Sequence, residues 1–194
     1  MIQNKYPNWF AQVAEGNFST HLNLFKDKEV NCLQIGAYTG DATMWLFDNI
    51  LTNTQSTLTD VDTWGGSDEE VHKKMDWSDV EEVYDSRTEQ LREDGRLIKV
   101  KNTSDNFFLE NPKVFDFIYV DGDHTAMATL KDGLNAFKVL KPGGILAFDD
   151  YTWSSGTGDI MKDPKPAIDA FLLFHKKNIS VIEINWQVWV KKNA

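Results

Sequence analysis

An apolar run, Phe115-Asp116-Phe117-Ile118-Tyr119-Val120, ends in Asp121-Gly122-Asp123-His124, and a second, Gly144-Ile145-Leu146-Ala147-Phe148, ends in Asp149-Asp150. Carboxylates gathered where two buried strands end are costly unless a cation or a proton compensates them, so the two clusters read together as a metal site. A further motif, Leu33-Gln34-Ile35-Gly36-Ala37-Tyr38-Thr39-Gly40-Asp41-Ala42-Thr43, passes from a strand through a glycine-containing turn into a helix. Gly36 and Gly40 carry no Cβ and let backbone approach a ligand closely, although the three-glycine spacing of a dinucleotide fingerprint is absent. Next, Leu58-Thr59-Asp60-Val61-Asp62 places an acid at a strand end about twenty residues on, where a carboxylate can accept from both hydroxyls of a ribose. Asp62 lies further past the apolar run and is the better candidate; Asp60 reads more simply as a turn cap.

The elements that must position these groups follow from the hydrophobic pattern. Strand-length apolar runs fall at 31–35, 56–61, 97–101, 115–120, 144–148, 180–184 and 187–190. Helical patterns fill the gaps at 41–50, 78–94, 104–109, 125–140 and 166–177, after an amphipathic lead-in within 8–25. Alternation of this kind predicts βαβ units and a mostly parallel sheet. Only Asn185-Trp186 separates the last two strands, too little for a crossover helix, so they are expected to close the sheet edge as an antiparallel hairpin. Residues 63–77 lack a clear period, are acidic and Trp-bearing, and read as a lid or insertion.

The 194 residues suffice for one well-buried domain, with 1–29 as a helical lead-in and 30–194 as the core. A net charge of -10 with scattered Lys and Arg argues against nucleic acid or an anionic membrane as the main partner. The single Cys32 excludes an intrachain disulfide and fits a reducing cytoplasm; no apolar stretch reaches membrane-spanning length. A soluble, cytoplasmic protein is expected.

In their order, these motifs resemble those of the class I S-adenosylmethionine-dependent methyltransferases. The likeness is narrower still to the metal-dependent O-methyltransferases of the catechol O-methyltransferase type and to bacterial sugar and antibiotic-tailoring enzymes. Residues 33–40 are similar to the family's first motif, Val61-Asp62-Thr63-Trp64 to its second-strand acid, Asp121-Gly122-Asp123-His124 to its metal-and-base motif, and Lys141-Pro142-Gly143-Gly144 with Phe148-Asp149-Asp150-Tyr151 to its fifth-strand motif. The resemblance spans about residues 30–190 and implies a Rossmann-like three-layer α/β sandwich with a seven-stranded sheet. One departure is Gln34, where the family usually carries Glu, so a contact to the cofactor's amino group would be weakened or made through an amide oxygen.

The resemblance implies that Asp121, Asp149 and Asp150 hold a divalent cation, Mg²⁺ by the hardness of all-oxygen ligands. It assigns Gly36, Ala37 and Tyr38 to the cofactor's methionine side, Asp62 to its ribose and Ser104 to the adenine edge, and counts Gly40 and Asp121 among the cofactor-binding residues; Ser104 also reads as a helix N-cap. Asp123 and His124 are the base candidates, Asp123 slightly ahead. Against these roles, Asp123 competes with Thr125 to cap the following helix, and His124 reads equally well as a structural residue at its start. The implied reaction is methyl transfer to a small hydroxylated acceptor, sugar or catechol-like. Relatives are often oligomeric, which implies a homo-oligomer of unspecified number.

Competing readings are a catalytically silent S-adenosylmethionine-binding module, a metal-independent methyltransferase, and an aspartate-dependent phosphohydrolase. The last is disfavoured because its Asp-x-Asp pair belongs after the first strand. Trp64 is expected to stack on the adenine or line the acceptor pocket and Trp153 to touch the acceptor, unless either is only a partly buried loop aromatic; Trp45, Trp186 and Trp189 are expected in core or edge packing. His21, His72 and His175 are expected at the surface, and Glu69, Glu70, Asp76 and Asp79 on a solvated face.

Overall fold

The computed structural model describes residues 5–110 and 113–194. At its centre is β1 (Asn31–Ile35), flanked by the parallel strands β2 (Thr57–Asp62) and β4 (Phe115–Val120), with β3 (Leu97–Lys101) beyond β2 and β5 (Leu140–Phe148) beyond β4. The hairpin of β6 (Ile179–Ile184) and β7 (Val188–Lys192) adds the other edge, with β7 antiparallel to β5, giving the order β3-β2-β1-β4-β5-β7-β6. The expected fold class, with its C-terminal antiparallel hairpin, is the one observed.

Helices cover both faces, which is why the central strands are almost continuously apolar. On one face, α1 (Trp9–Val13), α2 (Glu15–His21), α3 (Asp41–Asn49) and α4 (Trp77–Glu93) enclose Phe18, Leu46, Tyr84, Phe117 and Trp189. On the other, α5 (Ser104–Glu110), α6 (Ala126–Val139) and α7 (Lys165–His175) help to enclose Leu33, Ile118, Leu146, Phe148 and Phe171. No helix among the described residues is long and apolar enough to cross a membrane.

The register decides where chemistry can occur. Ile35 pairs with Val61 on one side and Val120 on the other, and Val120 pairs with Phe148, so β1, β2, β4 and β5 all end along one edge. There the chain leaves β1 for β2 on one side and β4 for β5 on the other, so the strand order reverses between β1 and β4, the switch point at which open α/β sheets bind ligands. Gln34, Gly36, Asp62, Asp121 and Asp149 are thereby carried to one crevice by strand pairing alone.

Candidate active site

The glycine turn is fixed by contact between two strand ends. Gly36 donates its N–H to the Val61 carbonyl (2.9 Å), and Asp121 donates its N–H to the Ile35 carbonyl (2.8 Å). A Cβ at position 36 would lie 1.8 Å from the Asp121 carbonyl oxygen, at a φ of +85°. Only glycine fits that crossing. The Asp62 carboxylate accepts from the Ala37 N–H (2.8 Å), the Tyr38 N–H (3.0 Å) and the Trp64 N–H (2.7 Å). A carboxylate offers about four lone-pair sites, so in this state Asp62 serves chiefly to clamp the glycine turn. Beside it, Gln34 is 3% exposed and donates through Nε2 to the Gly36 carbonyl (2.8 Å), while its Oε1 is buried without a partner.

At the ends of β4 and β5 lies a cluster of Asp121, His124 and Asp150, with one ligand-type atom from each inside a 4.8 Å span. His124 Nε2 is 2.9 Å from Asp150 Oδ2 and 3.5 Å from Asp121 Oδ1. Asp150 takes a left-handed φ of +59°, strain that an Asp tolerates and that turns its carboxylate towards His124. Asp149 lines the same crevice, but its carboxylate is held from behind by the Tyr119 hydroxyl and the Asp150 N–H (2.9 Å). Burial, then repulsion from Asp121 and Asp150, pushes the Asp149 carboxyl well above the usual range; burial pushes Asp121 up to about 6 despite the imidazole beside it. This is the electrostatic signature of a site that a cation or protons must compensate.

Glu69 joins the cluster from the aperiodic segment. Its Oε1 accepts from the Ser67 hydroxyl (2.8 Å) and stands 3.1 Å from His124 Nδ1, a close ionic contact off the line of a hydrogen bond. Burial would raise the Glu69 carboxyl, but His124 and Ser67 outweigh it and draw it down to about 2. Burial likewise opposes charge on His124, yet Asp121, Asp150 and Glu69 hold its imidazole well above 6.5.

These groups line one cleft of about 760 Å³, within the range of small-molecule sites. Residues 102–105 and Asp132 line it beyond β3, where Ser104 hydrogen-bonds Asp132. Over the other part stand Trp9, stacked on Tyr38 (ring centroids 4.9 Å, 23°), and Trp153, edge-on to His124 (5.0 Å, 60°). Trp186, from the β6–β7 turn, also reaches the cleft, and its indole nitrogen is buried without a partner.

Residues 33–151 match the family model for a methyltransferase domain. The chain belongs to the methyltransferase-domain family. Its sheet is that of the class I S-adenosylmethionine-dependent methyltransferases. No curated protein matches this methyltransferase significantly. Its fold is similar to that of a candidate rRNA methylase from Clostridium thermocellum (TM-score 0.69, 14% identity, covering 100% of this chain and 98% of that one). It is similar also to the O-methyltransferase TomG of Streptomyces achromogenes, solved with S-adenosylmethionine (0.66, 13%, 94% and 82%). A third likeness is to an O-methyltransferase from Bacillus cereus, solved with S-adenosylhomocysteine (0.57, 16%, 99% and 94%). At such identities the likeness is one of fold.

Several sequence expectations for the methyltransferase need correction. Trp64 does not line the cleft: it is 4% exposed and donates its indole N–H to the Tyr38 carbonyl (3.0 Å), because a φ of +44° turns it under the glycine turn. Asp123 does not cap α6; Thr125 does, and exposed Asp123 accepts the Thr125 N–H (2.8 Å). Ser104 is the first residue of α5, and the capping oxygen belongs to Thr103, which accepts the Asn106 N–H (3.3 Å). The three histidines expected at the surface are half-buried: His21 against Trp189, His72 against Trp77, and His175 between Phe137 and Phe171. Glu69 faces His124 instead of solvent. Trp186, expected in packing, lines the cleft.

Proposed function

We propose that this protein is a divalent-metal-dependent O-methyltransferase that moves the methyl group of S-adenosylmethionine to a small hydroxylated acceptor. The observation that carries the reading is the convergence of Asp121, His124 and Asp150, with Asp149 behind them, on the crevice that the glycine turn also lines. The orphaned Gln34 Oε1 fits a cofactor bearing an ammonium group, which Gly36, Ala37 and Tyr38 would flank; Gly40, expected beside them, caps α3 and does not line the cleft. Asp62 would hold the ribose if it exchanged a backbone N–H for a hydroxyl, with the turn before α5, including Ser104, beside the adenine.

The donor chemistry fits a cation. Asp121, Asp149 and Asp150 are hard oxygen donors suited to Mg²⁺. Such an ion, when bound, would supply Lewis acidity that lowers the pKa of an acceptor hydroxyl. The chain itself supplies the proton acceptor. His124 lies within the carboxylate cluster and would serve as base in the cation-loaded site, where Asp121 and Asp150 no longer stabilise its proton; Asp123, the other candidate, is exposed and engaged at the helix start. Trp9 and Trp153 give flat apolar walls for a sugar or catechol ring and help to exclude water. A cytoplasmic location and a homo-oligomeric state accompany this proposal.

The test combines calorimetric binding of S-adenosylmethionine with turnover of glycosides and catechols, with and without chelator and Mg²⁺, beside Asp150→Asn. The expected result is retained cofactor binding with loss of transfer on chelation and in the variant. Full activity under chelation would leave a metal-independent enzyme, and cofactor binding without transfer to any acceptor a silent binding module.

A further inference from the structure

We infer that the acceptor carries no negative charge, and that one bearing an ammonium group near its hydroxyls is preferred over a neutral analogue. The inference deepens the reading above and rests on it. It comes from the charges lining the cleft: among the described residues there, none is lysine or arginine, and the ionisable groups are carboxylates apart from tyrosine and the imidazoles of His72 and His124.

Some of these carboxylates are neutralised from outside the cleft or by the fold. Asp41 pairs with Arg87 (2.7 Å) and Asp105 with Lys131 (3.0 Å), while Asp62 is taken up by backbone amides. Asp149 is engaged by the Tyr119 hydroxyl and the Asp150 N–H, and Asp132 by Ser104. The rest are less well compensated: Glu69, Asp121 and Asp150 share the His124 imidazole, Glu69 with Ser67 and His72 also beside it, and the Asp123 carboxylate meets the Thr125 N–H. A divalent cation between Asp121 and Asp150 would offset part of this charge and leave Glu69 and Asp123. Of the unpartnered polar atoms on the walls, Gln34 Oε1 and Trp186 Nε1 are neutral, and His124 Nδ1 belongs to the imidazole that the three carboxylates already share. An anionic acceptor would therefore find no lysine or arginine in the cleft and only an imidazole already shared by three carboxylates, and would be desolvated against like charge.

An ammonium group meets the opposite conditions. Carboxylates attract it, and the faces of Trp9, Trp153 and Trp186 offer cation–π contact. A cleft lined with one sign of charge also raises the local concentration of the opposite charge and speeds its entry, an effect that salt removes. By the same reasoning, phosphorylated, thioester-linked nucleotide and RNA acceptors are disfavoured, whatever the neighbouring folds act upon.

The experiment uses two matched series that differ only in charge: dopamine, 4-methylcatechol and protocatechuate; and the methyl glycosides of glucosamine, glucose and glucuronic acid. Measured are kcat/KM and, on protein loaded with S-adenosylhomocysteine, calorimetric affinity, at about 0.05 and about 0.5 M NaCl. The expected order is cationic, neutral, anionic, with about tenfold or more between the extremes and a narrower gap at high salt. An anionic member equal to or better than its cationic counterpart overturns the inference, as does a gap that salt leaves unchanged. A probe independent of acceptor identity is quenching of the Trp153 emission, taken as the difference between wild type and Trp153→Phe. With each ion's quenching taken relative to that of free N-acetyltryptophanamide, caesium should quench it more than iodide; equal or reversed relative quenching overturns the inference. Failure of S-adenosylmethionine to bind would instead sink the methyltransfer reading, which the quenching result does not depend on.

Discussion

Glu69 Oε1 lies 3.1 Å from His124 Nδ1, while His124 Nε2 lies 2.9 Å from Asp150, so one imidazole spans the aperiodic 63–77 segment and the β5 carboxylates. A carboxylate this close favours the charged imidazole and holds the ring turned towards the cluster. Glu69→Gln keeps the shape and removes the charge. The expected result is a fall in kcat of roughly 10- to 100-fold, with cofactor affinity unchanged within about twofold by calorimetry. An unaltered kcat would make the Glu69 contact incidental.

Gly36 should tolerate no side chain. The clash with the Asp121 carbonyl is between two backbones, each held by a ladder hydrogen bond, so neither can give way cheaply. Gly36→Ala combines overpacking with a positive φ and should cost about 3 kcal/mol or more. The measure is the urea midpoint at constant m. A loss below about 1 kcal/mol would mean that the turn relaxes.

The frame of the molecule was legible because its strands are apolar runs bounded by turn residues: β1, β3 and β4 fall at the predicted residues, and α3, α4 and α6 within one residue or two. Parallel pairing then brings Gly36, Asp62, Asp121, Asp149 and Asp150 to one edge without further information. What escaped depends on contacts far apart in sequence. Glu69 stands in a segment without periodicity, and nothing local marks it apart from Glu70, which is exposed. Tyr119 behind Asp149 was within reach: Tyr119 pairs with Ala147, and Asp149, two residues on, returns towards the same face. Trp64 was misplaced because its backbone turns under the sheet edge, for which the following Gly65-Gly66 was the available signal.

Asp60 gives the fold a pH dependence of defined sign. It is fully buried on β2, accepts from the Thr43 hydroxyl (2.7 Å) and the Tyr84 hydroxyl (2.8 Å), and leaves Oδ1 without a partner. Burial pushes its carboxyl up to about 7 against hydroxyl bonds that pull the other way. Because the folded state holds the proton more tightly than the unfolded chain, the Asp60 contribution is most favourable below about pH 4, declines between pH 4 and 7, and is flat above. Asp60→Asn removes this slope. The stability of the variant relative to wild type should thus rise by ~4 kcal/mol between pH 4 and 8 in urea titrations. A difference independent of pH would show that Asp60 is ionised in the folded state throughout.

Trp153 should act on the acceptor and not on the cofactor. It follows Asp150 closely, is half-buried, and meets His124 edge to face at 5.0 Å, whereas Gln34 and the glycine turn belong to β1. Removing an aromatic wall forfeits roughly 0.5–1.5 kcal/mol of ring contact, or about a 2- to 10-fold rise in acceptor KM. Trp153→Ala should show that rise with kcat reduced less and S-adenosylmethionine affinity unchanged, and Trp153→Phe should recover most of it. If the substitution instead weakens cofactor binding while acceptor KM stays constant, Trp153 belongs to the cofactor side of the cleft, and the acceptor must enter past Trp9 and Tyr38.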